Sequence, residues 1–66
     1  MDAPTAELSS LATGLDELTG RLSAIAERLN GTEHDLMAHD LFEVERALAA
    51  AQRRLARLVE RSARSA

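Results

Sequence analysis

The sequence has no cysteine, tryptophan, tyrosine or lysine, and its one aromatic residue is Phe42. Without thiols it has neither disulfides nor thiolate metal sites. With a single aromatic ring it has no stacking platform for single-stranded nucleic acid. No apolar run approaches the roughly 18 residues of a membrane span. Gly14, Gly20 and Gly31 are too scattered for a phosphate-cradling loop. The only proline is Pro4, so no proline interrupts a helix downstream of it. A net charge of −3 is too mild to announce a nucleic-acid partner. All eight basic residues are arginine, a bias that suggests GC-rich coding and a bacterial source. The opening segment MDAPTAELSS places an acidic residue where a signal peptide needs basic ones, and the expectation is a cytoplasmic protein.

What is present is leucine and alanine in a helical period. Sixty-six residues make at most one small domain, and a chain this short is marginal alone. With disulfides and thiolate metal sites excluded, oligomerisation is the natural remedy. Leu8, Leu11, Leu15, Leu18, Leu22, Ile25 and Leu29 follow one another in alternating steps of 3 and 4, an unbroken heptad stripe with Leu8 at a and Leu11 at d. A second stripe runs through Met37, Leu41, Val44, Leu48, Ala51, Leu55 and Leu58. Between them, Gly31 suits a left-handed helix end. Thr32 offers an N-cap, and Thr32 with Asp35 forms a variant capping box. Carrying the first phase onward would bring His39 and Glu43 into the seam, so the chain must turn back.

Folded on itself, the chain pairs every residue of the first stripe with one of the second, from Leu29 with Met37 to Leu8 with Leu58, each pair of numbers summing to 66. The expected fold is therefore all-α: an antiparallel, coiled-coil-like two-helix hairpin in one domain. Its helices should span about 4–29 and 33–62, with a turn at 30–32 and a frayed tail. On the g flank, Arg28 should meet Asp40 and Glu7 should meet Arg61. On the e flank, Ala26 faces Ala38, Thr19 faces Glu45, Ala12 faces Gln52 and Thr5 faces Val59, a small and nearly uncharged surface.

A lone hairpin leaves half of each seam residue wet, which points to a dimer closing as a four-helix bundle. The expected docking or partner surface comprises Ala12, Thr19, Ala26 and Ala38 on the small flank, together with Val59, Leu36, Phe42 and Ala49. Leu15 and Ala51 form a thin waist among Gly14, Ala12, Ala47 and Ala50.

Two clusters invite chemistry. Asp35, His39 and Glu43 share a helix face at i, i+4 and i+8, which suits a divalent metal in principle. The spacing is common on charged helix faces, however, and His39 falls outward at f, so neither a metal nor a cofactor is expected. Arg53, Arg54, Arg57, Arg61 and Arg64 form a basic end that the helix dipole partly explains. Ser9, Ser10, Thr13 and Ser23 have no histidine within reach, and a hairpin has no enclosed pocket. The functional expectation is a non-enzymatic interaction or oligomerisation module, a small adaptor or regulator whose main partner is itself and whose other partner would be another protein. The alternative is a small regulator that binds nucleic acid or a nucleotide through the arginine-rich end.

Overall fold

The computed structural model describes residues 4–65 as two helices, α1 (Thr5–Leu29) and α2 (Asp35–Ser65), packed antiparallel in a rod 52 × 15 × 13 Å. The described residues contain no strand. The architecture is the expected helical hairpin. Pro4 caps α1 at its start, its carbonyl accepting the Leu8 N–H at 3.0 Å. The second helix begins at Asp35, two residues later than expected, and continues to Ser65 instead of fraying after residue 62.

The turn explains the later start. Asn30 is extended and Gly31 takes φ +79°, the left-handed conformation foreseen for it. The Thr32 hydroxyl donates to the Leu29 carbonyl at 2.5 Å and accepts the His34 N–H at 3.0 Å. The Asp35 carboxylate accepts the Gly31 N–H at 2.5 Å. The capping box is thus displaced by one residue: the acid reaches past Thr32 to Gly31, while the Thr32 N–H bonds to Leu29 O at 3.2 Å.

The packed face differs from the expected one. Within α1, Leu8, Ala12, Leu15, Leu22 and Leu29 are half-buried, and Thr19 and Ala26 are buried. In α2 the inner line is Ala38, Leu41, Glu45, Leu48, Gln52, Leu55, Val59 and Ser62. These are the a and e positions of the heptads, not a and d. A hydrogen bond of 2.5 Å between the hydroxyls of Thr5 and Ser62, whose numbers sum to 67, sets the layering. Continued along antiparallel helices, that register places Ala12 opposite Leu55, Thr19 opposite Leu48 and Ala26 opposite Leu41. The reason is steric. Alanine and threonine at e let the two backbones approach closely, whereas the bulky d residues would hold them apart. Ala26 and Ala38, both 0% exposed, mark the tightest part of the contact.

Half of the expected seam therefore lies outside the hairpin. Leu11, Leu18, Ile25, Met37, Val44 and Leu58 are exposed, as is Ala51, while Leu8, Leu15, Leu22, Leu29, Leu41, Leu48 and Leu55 keep their inward places. The docking surface proposed on the small flank is corrected by the same rotation. Ala12, Thr19, Ala26, Ala38 and Val59 are occupied by the hairpin's own closure. Among the described residues the pair expected between Arg28 and Asp40 is not made, nor is that between Glu7 and Arg61, because g residues now sit on the outer rims of the rod.

Candidate functional site

The a/e packing sorts the surface into two long faces. A two-fold normal to the plane of an antiparallel helix pair keeps equivalent heptad positions on one side, so the d residues of both helices line the same face. There Leu11 is 64%, Leu18 54% and Met37 56% exposed, and Ile25, Val44 and Leu58 accompany them. At the middle of this face Leu15, Leu18, Leu22, Ile25 and Leu48, with Arg21 at the rim, line a shallow groove of about 360 Å³. Arg21, Arg28, Asp40 and Arg54 occupy g positions along its edges, together with Glu7 and Arg61.

The opposite face is more polar. It carries Ser9, Asp16 and Ser23 of α1 at b positions, and Phe42, Ala49 and Ala56 of α2. A hydrogen bond from Gln52 Nε2 to Asp16 Oδ1 at 3.0 Å ties the helices together along this side. Phe42 and Ala49 are half-buried here, away from the apolar face, and Leu36 stands 84% exposed near the turn. The waist residues divide: Ala12 and Ala50 are half-buried, Ala47 and Ala51 are exposed, and a methyl group added at Gly14 would meet nothing within 4 Å.

The seam itself contains one unsettled group. Glu45 lies in the inner line of α2, and its Oε2 is buried with no hydrogen-bond partner. The register places Thr19 near it, but the single Thr19 hydroxyl proton goes to the Leu15 carbonyl of its own helix at 2.8 Å. A carboxylate only accepts, so the oxygen stays unsatisfied.

The clusters read from the sequence separate in three dimensions. Among the described residues no three His, Asp or Glu side chains gather as a metal-ion set. Asp35 serves the turn, and Glu43 pairs with Arg46 at 3.4 Å. His34 stands 3.5 Å from Glu33. The basic cluster is exposed as expected. Arg54, Arg57, Arg61 and Arg64 line an open hollow of about 460 Å³ with Leu58 and Glu60, and Arg64 stands 3.8 Å from Glu60. The antiparallel hairpin would bring Asp2 alongside this end, but that residue lies outside the described residues.

Sequence reasoning had every d residue in hand but assigned it to the wrong partner. The signal that separates the flanks is side-chain size: e is small on α1, whereas d is large on both helices except at Ala51. Among the described residues no helix is long and apolar enough to cross a membrane. No protein-family model, curated protein or solved structure matches the chain.

Proposed function

We propose that the protein is a non-enzymatic interaction module, a small adaptor or assembly subunit whose working surface is the open d face, with the cytoplasmic setting expected from its sequence. One observation carries the reading: an apolar stripe spanning both helices, with Leu11, Leu18, Met37, Val44 and Leu58 all exposed, while no large side chain among the described residues is fully buried. Exposed apolar residues scattered singly are ordinary, whereas a contiguous stripe rimmed by charge marks a binding surface. The test is a double substitution, Leu11→Asp with Leu18→Asp. The native chain should run as a larger particle, alone or with a co-purifying protein, and the variant should run at the chain mass of 7.1 kDa with its helicity kept. A native chain that runs at 7.1 kDa and brings nothing with it would overturn the reading.

A second reading, binding of nucleic acid or a nucleotide, is favoured by the hollow that four arginines line at the open end. The two differ in salt response. Phosphate binding weakens steeply as salt rises, whereas an apolar contact barely responds.

A further inference from the structure

Four observations together say what covers the apolar face. The first is area. The chain exposes 5188 Å². A compact monomer of 7.1 kDa would expose about 4,100 Å², so the excess is about 1,100 Å². Stable interfaces bury about 800 Å² on each partner, so one occupant of the d face accounts for an excess of this size.

The second is the spacing of the ladder. On α1 the large d residues are Leu11, Leu18 and Ile25, symmetric about Leu18. On α2 the d positions are Met37, Val44, Ala51 and Leu58, evenly spaced about the midpoint of Ala47 and Leu48, with Ala51 the one small member. In the hairpin's own register Leu18 lies level with Ala49. The two centres therefore coincide to about 2 Å along the rod at 1.5 Å per residue. A face that is symmetric about one level is complementary to its own copy turned end for end.

The third is charge along the rod. The turn end, residues 27–43, carries Glu27, Glu33, Asp35, Asp40 and Glu43 against Arg28. The open end carries Arg53, Arg54, Arg57, Arg61 and Arg64 of α2 against Glu60 and, on α1, Glu7, and stays basic. Two copies running the same way would set acid beside acid and base beside base. Two copies running opposite ways set each acidic end over a basic one.

The fourth is the rim. With the copies turned end for end about Leu18, Glu7 comes level with Arg28 of the second copy to within about 2 Å. Among the described residues Glu7 and Arg28 make no cross-helix ion pair, and the rotation of the seam places them where a facing copy would meet them.

We infer that the d face is covered by a second copy of this chain, related by a two-fold axis that crosses the rod at Leu18, so that α1 packs on α1, α2 packs on α2 and the turns lie at opposite ends. The inference rests on the d face being the working surface and adds the occupant and its direction. Leu18 then meets Leu18 of the second copy and Leu11 meets Ile25, while Met37 and Leu58 come within about 5 Å of one level. Isologous closure of this kind ends at two chains.

The described residues contain no native cysteine to interfere with a cross-linking test. Light scattering on the purified chain should give twice 7.1 kDa. The single variant Leu18→Cys, oxidised with glutathione disulfide, should convert almost wholly to a covalent dimer of unchanged helicity, whereas Leu11→Cys alone should not. An equimolar mixture of Leu18→Cys and Ala51→Cys, the d position nearest the level of Leu18 on the other helix, should yield the Leu18–Leu18 product and little mixed dimer. A predominant mixed dimer would mean that the copies run the same way, and would overturn the inferred direction. A folded chain of single mass would overturn the second copy altogether. If such a monomer still holds a different protein, and loses it on Leu18→Asp, the interaction reading stands without the self-association. If Leu18→Asp changes nothing, both fall.

Discussion

The e flank and the d flank border the same a leucines, yet one is closed inside the hairpin and the other is open to solvent. On the e side Ala26 and Ala38 are wholly buried and Thr19 is 9% exposed. On the d side all six of the large apolar residues of the two stripes stand exposed. Hydrophobicity alone would choose the other arrangement, since leucine, isoleucine and methionine contribute more on burial than alanine and threonine. Close approach decides in favour of small residues when only two helices are present, because each bulky d residue can be covered on one side only. The contrast teaches that a two-helix chain can hold its most apolar stripe in reserve for a third and fourth helix.

Replacing Leu48 or Leu18 by Asp breaks the comparison most directly. Both belong to one heptad stripe set, but Leu48 is half-buried in the seam and Leu18 is exposed. The Leu48→Asp chain should lose about 3 kcal/mol and unfold at room temperature. The Leu18→Asp chain should keep its helicity while its solution mass falls. Circular dichroism and light scattering at one concentration separate the two, and equal loss of helicity would erase the distinction between the flanks.

Ala26→Leu comes next. The added side chain has no room at a 0% exposed position between backbones, and thermal melting should show a loss of about 1–3 kcal/mol. Ala24→Leu, on the exposed side of the same turn of helix, should stay within about 0.5 kcal/mol of the native chain.

Glu45→Leu sharpens the comparison from the other side. Removing a carboxylate whose Oε2 is buried without a partner should stabilise the hairpin by about 1–2 kcal/mol. A destabilised variant would show that Glu45 has a partner when the chain assembles.

The smallest effects lie in the glycines. Gly14→Ala adds a methyl into open space within a helix and should stabilise by about 0.5–1 kcal/mol, whereas Gly31→Ala forces a left-handed residue and should destabilise by about 1 kcal/mol. Urea midpoints at fixed slope measure both.

Much of this was legible in the residues. The two stripes, the reversal at Asn30-Gly31, the left-handed Gly31 and the antiparallel register to within one residue all follow from spacing, because a heptad and its mirror leave few alternatives. The face was not legible. Positions a, d and e lie within about a third of a turn, and templates drawn from long coiled coils assign the seam to a and d. Nor was the use of Asp35, which completes the turn through Gly31 instead of the Thr32 N–H. That difference of one residue depends on where the backbone settles after the left-handed step. His39 and Glu43 read as one constellation with Asp35 in the sequence, yet local partners claim Asp35 and Glu43 separately.

By itself, then, the sequence determined two helices, their direction and the place of the turn, since local period and backbone preference act over neighbouring residues and need no knowledge of the rest. Only the tertiary structure decided which side of the leucine ladder closes and which stays open. That choice depends on how near two backbones can come, a quantity set jointly by side chains about 15 to 60 residues apart, such as Ala26 and Leu41 or Thr5 and Ser62, bonded at 2.5 Å.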